Sequence, residues 1–464
     1  MKINPRTGDA YQLLHNGVLA LARAEQQGIR VDMEYVETKK AHLTRRIDRL
    51  EEQFKQTNFY KHWQHTVKGT INIHSNLQLA HFLYNVKKLK VEKETASGQG
   101  STDEETLKQL GIPDLDMLLE ARKLKKVRDT YLDAFAREQV NGYIHPFFNL
   151  HLVRTFRSSS DSPNFQNIPK RDEESMKIVR KALFPRPGHQ LLEADYSGLE
   201  VRIAACYHKD ETMLKYLRDN YDMHSDMTKQ IFVLDAYDKS AHNTLRQAVK
   251  NGFVFPEFYG DYYGNCAVSM ACGWGKLPPG KWGPEEGIEI GTFLPIFLSD
   301  HLISKGLTSL EKFTEHIKKI ESHFWGVRFR DYASWKDKWY TLYKKYGYID
   351  LLTGFRCSGV MGRNDSINYP VQGAAFHCLL WSFIEVDRVL RERGMDSKLI
   401  GQIHDSMILD VLPSEREEVI EIIRHVTCVA LPKAWPWIIV PLDVDIELCP
   451  VDDSWASKGK FSSK

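Results

Sequence analysis

The chain has 464 residues, a formal net charge of +2, 42% hydrophobic residues and 11% aromatics, so it can bury a large core spread over two or three lobes. No stretch approaches the roughly 18 consecutive apolar residues of a membrane span, and the seven cysteines contain no CxxC pair, which argues against a zinc ribbon or disulfide framework and fits a reducing, cytoplasmic setting. The near-neutral balance leaves no global basic field, so any nucleic-acid contact has to rest on local positive charge.

The first seventeen residues, MKINPRTGDAYQLLHNG, lack a signal-peptide apolar core. Leu13, Leu14, Val18, Leu19 and Leu21 fall at roughly helical spacing, Gly28 is a stop signal, and Ile29 to Asp32 reads as extended. Long charged helical patterns follow over 34–57 and 77–90. A small-residue loop, TASGQGS, precedes Thr102, which with Glu105 suggests a capping box. The run EARKLKKVR at 120–128 is either a solvated helix face or a phosphate-tracking one. The next stretch, 141–169, mixes aromatics, few acids and two arginines beside hydroxyl residues. That mixture suits backbone and groove contacts with nucleic acid, or a plain hairpin and loop.

The stretch LLEADYSGLEVRIAA at 191–205 reads as a short buried strand ending in Asp195, a turn through Ser197-Gly198, and a helix start carrying Glu200. A helical region, 209–250, leads to Arg246 and Lys250, two cations on one helix face with no acid between them. Phe255 and Tyr259 beyond them offer stacking surfaces or simply core. The loop ACGWGKLPPGKWGPEEGIEIG at 271–291 does not match a GxxxxGK[ST] phosphate loop. Residues 310–346 read as helical, 347–356 as a hairpin, 376–390 as an apolar helix, 414–430 as a helix and 438–448 as a last strand. Between two apolar runs at 399–411 lies His404-Asp405-Ser406, which suits a hairpin with an acid at its tip. Asp195 and Asp405 could be ordinary turn residues or could share a pair of divalent metals for phosphoryl transfer.

Five ordered segments resemble the polymerase part of the family A DNA polymerases, the bacterial DNA polymerase I and phage replicative type. DYSGLEVR at 195–202 is similar to the family's first acid motif and IHDS at 403–406 to its second. Arg246 through Lys250 to Tyr259-Gly260 is similar to its nucleotide-binding helix, and RTFRSSSDSPNFQNIP and INYPVQGAA to its duplex-contacting segments. The resemblance implies a mixed α/β (α+β) right-hand fold with an antiparallel palm sheet. It assigns 1–31 as a palm-side helix, 32–150 as thumb, 151–206 and 346–464 as palm, and 207–345 as fingers with an enlarged insertion over 261–319.

It also implies a template-directed DNA polymerase, working on primer–template DNA and dNTPs in phage or bacterial replication or repair. Two Mg²⁺ ions, about 3.5–4 Å apart, would be held by Asp195, Asp405 and the Tyr196 carbonyl. Arg180, His224, Arg246 and Lys250 are expected on the incoming triphosphate, with Lys250 a proton donor to pyrophosphate. Phe255 would stack on the base, Glu200 braced by Tyr259 would exclude a 2′-hydroxyl, His404 would hold the primer end, and Arg157, Asn368 and Gln372 would reach the minor groove. Purine N3 and pyrimidine O2 are acceptors in every pair, so donors there test pair shape without reading sequence. Gln372 alternatively reads as a helix N-terminal cap. The implied enzyme is a cytoplasmic monomer, with proofreading supplied by a separate exonuclease, or by a longer protein of which this chain is a part, and possible contact with a replisome protein.

Four departures from the family pattern stand out. Ser406 occupies the usual place of a glutamate, Gly198 that of a glutamine, and Arg363 lies five residues before Asn368 rather than four. Lys250 and Tyr259 are nine residues apart rather than eight. A π-bulge near Gly252 reconciles that spacing with Phe255, not Phe253, as the stacking ring. A single-subunit RNA polymerase shares the two acids and the HDS triplet but not Glu200. Ser406 leaves room for a third reading, an inactive primer–template-binding scaffold.

Overall fold

The computed structural model describes residues 7–461 apart from 68, 92, 96, 171 and 273–297; most of the loop 271–291 therefore lies outside the described residues. The central element is an antiparallel sheet in the order Gly459–Lys460, Val444–Leu448, Gln190–Tyr196, Ser406–Val411, Lys398–Ile403. Gln190–Tyr196 is the middle strand, and both of its faces are covered: Leu191, Leu192, Glu193 and Ala194 are all buried. Registers pair Ser406 with Asp195 on one side and Asp445 with Asp195 on the other.

Across this sheet runs the helix Arg363–Glu392. The sequence reads as an apolar helix only from Phe376, with 368–375 leading into it. The helix nevertheless continues through Pro370, and the Ser366 carbonyl, which the proline cannot serve, accepts from the Trp339 indole at 3.0 Å instead. Helix Thr7–Gln27 packs on the same long helix and on Lys398–Ile403.

Ile29–Val31 is a strand between Tyr143–Ile144 and Leu183–Phe184. Beyond it, Met33–Gln56 packs against Asp114–Lys126, and a separate apolar cluster around Phe54, Trp63 and Phe82 closes the far end of this helical arm. Asp103, not Thr102, caps the helix Glu104–Gln109, its carboxylate accepting from the Thr106 amide at 2.8 Å; aspartate is the stronger acceptor for the orphan amide. A helical lobe between Glu211 and Tyr346 packs, through Arg330–Tyr346, on Arg363–Glu392 and Leu199–His208; in it the expected helix 310–346 breaks at Phe329 (φ −122°, ψ 51°). The last long strand begins only at Val444, after Pro441, which has no amide to give a ladder.

Candidate active site

The hairpin turn is two residues long, His404-Asp405, with His404 in the left-handed region at φ 51°. Ser406 opens the returning strand directly opposite Asp195, and the Tyr196 amide donates to the Asp405 carbonyl at 3.1 Å. Two acids far apart in sequence thus meet at one end of adjacent strands. Burial pushes the Asp405 carboxyl up to about 6, with Arg157 opposing and Asp195 adding to the rise. Its Oδ1 is buried and has no hydrogen-bond partner. A buried carboxylate oxygen left unpaired beside a second carboxylate is costly unless a cation completes it, and an all-oxygen donor set of this kind suits Mg²⁺.

Tyr196 contributes backbone only, since its hydroxyl is tied to Ser382 at 2.7 Å inside the core. The Ser406 hydroxyl donates to the Ile403 carbonyl at 2.9 Å and is turned away from the acids. Among the described residues no cluster of three or more His, Cys, Asp or Glu side chains could hold a metal, so the pair of aspartates and the backbone carbonyl are the donor set available.

Asn243–Val249 continues into a π turn over Lys250–Val254 and then the short helix Phe255–Tyr259. The extra residue in that turn sets the register. Phe253 becomes fully buried, edge-on to Phe324 at 5.4 Å, whereas Phe255 is only half-buried. The Lys250 ammonium lies 5.4 Å over the Phe255 ring, and His224 meets the same ring edge-on at 5.6 Å. Burial and the neighbouring Lys250 and Arg246 push the His224 imidazole down to about 4, which makes it a neutral hydrogen-bonding group at pH 7. Burial and the charges of Arg246 and Lys170 lower the Lys250 ammonium. Arg246 is held by Asp222, from Nη2 at 3.0 Å and Nε at 3.2 Å.

Glu200 lies between two donors, Arg157 through one oxygen and the Tyr259 hydroxyl through the other. The Asn368 amide donates to the Tyr259 carbonyl at 2.9 Å. Phe255, Tyr259, Glu200 and Asn368 therefore line one crevice. Gln372 is half-buried in the third turn of Arg363–Glu392 and is no cap. At the next position, Gly373, a Cβ would collide with the Thr155 carbonyl; only glycine lets the segment bearing Arg157 lie this close to the helix bearing Asn368 and Gln372. Gly198 (φ 60°) turns the chain between Asp195 and Glu200 in a conformation that side chains rarely adopt.

Arg180, one of the residues expected on the triphosphate, is buried. Arg180 is only 2% exposed, lies over the Trp455 ring at 4.3 Å and faces Glu193 at 3.6 Å. Its guanidinium is inside the structure, against Glu193 of the sheet's acid strand. Arg363 pairs with Asp337 at 2.7 Å.

His404 lies on the wall of a cleft of about 1060 Å³ between the sheet and the helical arm, together with Lys170, Gln166, Arg122, Lys123 and Lys126. The basic run at 120–128 is partly spent on neighbours. Lys123 pairs with Glu120 and Glu174, and Arg122 donates to the carbonyls of Ile73 and Thr102.

Comparison with known proteins decides the family. The family model described as DNA polymerase family A matches residues 33–271 and 305–457. The chain belongs to DNA polymerase family A. Its break at 272–304 lies inside the segment where the sequence suggests an enlarged insertion. Among curated relatives, DNA polymerase I of Chloroflexus aurantiacus is 27% identical over 97% of this chain and 44% of its own length. DNA polymerase I of Pseudomonas aeruginosa is 28% identical over 88% of this chain and 40% of its own. The chain thus spans less than half the length of these relatives. The polymerase domain of Pol1 from M. smegmatis, solved with DNA primer–template and dNTP, has the same fold, with TM-score 0.73 and 24% identity over 95% of this chain and 70% of its own. The fold class read from the sequence, a right-hand polymerase fold with an antiparallel sheet, is the observed one.

Two residues of this family A site were missed. Asp222 both caps its helix and anchors Arg246; the cue was an acid two residues before His224. Lys170, immediately after the NIP triplet, points its ammonium at Asp195 Oδ2, 3.1 Å away; no spacing rule links residues 170 and 195. Among the described residues no helix is long and apolar enough to cross a membrane.

Proposed function

We propose that this chain is a template-directed DNA polymerase that extends a primer 3′-hydroxyl with deoxynucleoside triphosphates. The observation that carries the reading is the Asp195–Asp405 pair with its unpartnered buried oxygen, next to a helix whose Lys250 is close enough to feel the charge of Asp195. Asp195, Asp405 and the Tyr196 carbonyl are the groups that would hold two Mg²⁺ ions. Ions there would supply the charge that activates the primer hydroxyl and neutralises pyrophosphate.

The rest is done by the chain itself, by positioning and preorganised charge. Arg246 and His224 orient the triphosphate, Lys250 holds a proton within reach of the leaving group, and Phe255 stacks on the base. Glu200, fixed by Arg157 and Tyr259, stands where a ribose 2′-hydroxyl would have to go. In this reading 32–150 is the thumb, 207–345 the fingers with the insertion within 261–319, and the remainder the palm. Arg157, Asn368 and Gln372 face the minor groove of the primer end, and His404 and the cleft cations face its backbone.

Primer extension tests this directly. Wild type should extend with dNTPs and divalent metal, rNTPs should be poor substrates, and Asp195→Asn or Asp405→Asn should abolish extension while leaving the fold intact. Full activity in both variants would refute the assignment.

A further inference from the structure

Lys170 is the cation that pairs with Asp195 among the described residues. The neighbouring groups are otherwise engaged. Ser406, opposite Asp195 on one strand, carries no charge and bonds to Ile403. Asp445, opposite on the other, accepts from Ser197 at 2.6 Å. Arg157 is bound to Glu200 and Arg246 to Asp222. The lysine side chain is 56% exposed, so its four-carbon stem can swing away at little cost. When it does, it stays on the wall of the cleft that it shares with His404.

We propose that Lys170 is a tethered counter-ion: it occupies the Asp195 carboxylate in the substrate-free enzyme, competes there with a divalent cation, and moves onto a substrate phosphate when substrate arrives. The inference rests on Asp195 and Asp405 being the cation-binding acids. Its physical basis is charge bookkeeping. Asp195, Asp405 and Lys170 sum to −1, where the same groups with a glutamate at position 406 would sum to −2. A site this weakly negative attracts a divalent ion poorly until phosphates both add negative charge and draw the ammonium off the carboxylate. Cation loading thereby becomes conditional on substrate, and the lysine acts on the reaction as a positioning residue.

Mn²⁺ binding to the substrate-free protein, followed by electron paramagnetic resonance, tests this with wild type, Lys170→Met, Lys170→Arg and Asp195→Asn. Lys170→Met should bind Mn²⁺ about two- to fivefold more tightly than wild type, the range expected for removing a partly exposed ion pair. Lys170→Arg should match wild type. Adding dideoxy-terminated primer–template in one arm and dNTP in another should close the gap in the arm whose phosphate takes up the ammonium. Equal Mn²⁺ affinity for wild type and Lys170→Met, with Asp195→Asn weakened, would overturn the proposal and leave the acid assignment standing. A gap that neither substrate narrows would overturn the hand-over. Unchanged Mn²⁺ binding in Asp195→Asn would instead remove the acid assignment on which it rests.

Discussion

The Tyr259 hydroxyl donates to the Glu200 carboxylate, whose other oxygen accepts from Arg157. One side chain thus ties the end of the nucleotide helix to the first-acid helix and to the segment that approaches Gly373. Glu200→Ala should remove the wall against a 2′-hydroxyl and lower the dNTP-to-rNTP ratio at least about tenfold, or ~1.4 kcal/mol of discrimination. Tyr259→Phe should lower it less. The ratio of kcat/KM for the paired nucleotides reads both.

The π turn at Lys250–Val254 separates two phenylalanines into different environments. Phe255→Tyr should ease incorporation of dideoxynucleotides, the new hydroxyl standing in for the missing 3′-hydroxyl. Phe253→Tyr should instead place a hydroxyl in a fully buried site beside Phe324 and cost about 1–3 kcal/mol of stability. Dideoxy-terminator incorporation and thermal melting distinguish them, and the reverse pattern would mean that the register is wrong.

Asp405 sets a pH dependence whose sign is opposite to that of a salt-bridged aspartate. Its folded-state pKa of about 6 lies above the ordinary 3.8, so the folded, metal-free protein binds the proton more tightly than the unfolded chain does. Stability is therefore lost as pH rises from about 4 to about 6 and stays lower above that. Asp405→Asn should stabilise the metal-free protein at pH 7.5 by on the order of 1–3 kcal/mol, read as a rise in melting temperature, and do nothing at pH 4. Metal affinity of wild type should fall below pH 6, as protons compete for the same oxygens.

Ser406 is a structural residue in this chain. Ser406→Ala should cost about 1 kcal/mol through the lost bond to Ile403 and leave extension within about threefold of wild type. A loss of metal affinity in Ser406→Ala, measured by titration, would show that the hydroxyl turns toward the acids after all.

Arg180→Ala should destabilise by about 2–4 kcal/mol, since it empties a buried volume over Trp455 and removes a counter-charge from Glu193. The KM for dNTP should not change. A selective rise in KM with unchanged melting would restore Arg180 to the triphosphate.

What could be read from residues alone was whatever is encoded locally or by motif order. The acid strand and the hairpin with Asp405 at its tip are of the first kind, because strand periodicity and turn signals are local; the π turn and the Glu200–Tyr259 brace are of the second, since they follow from the resemblance to the family's motifs. The burial of Arg180 against Trp455 and Glu193 was not legible in the sequence, since composition does not say which face of its eight-residue helix meets the sheet. Nor was the continuation of the long helix through Pro370, because the compensating donor, Trp339, comes from an element 31 residues earlier.

By itself, then, the sequence determined the resemblance to the family, the sheet-end position of both acids and the extra residue in the helix after Lys250. Tertiary structure decided which charges are free. Lys170 faces Asp195, Arg246 is held by Asp222, and Asp405 is left with a bare oxygen. Pairings of this sort depend on burial and on distances between segments that share no periodicity, so packing alone sets them.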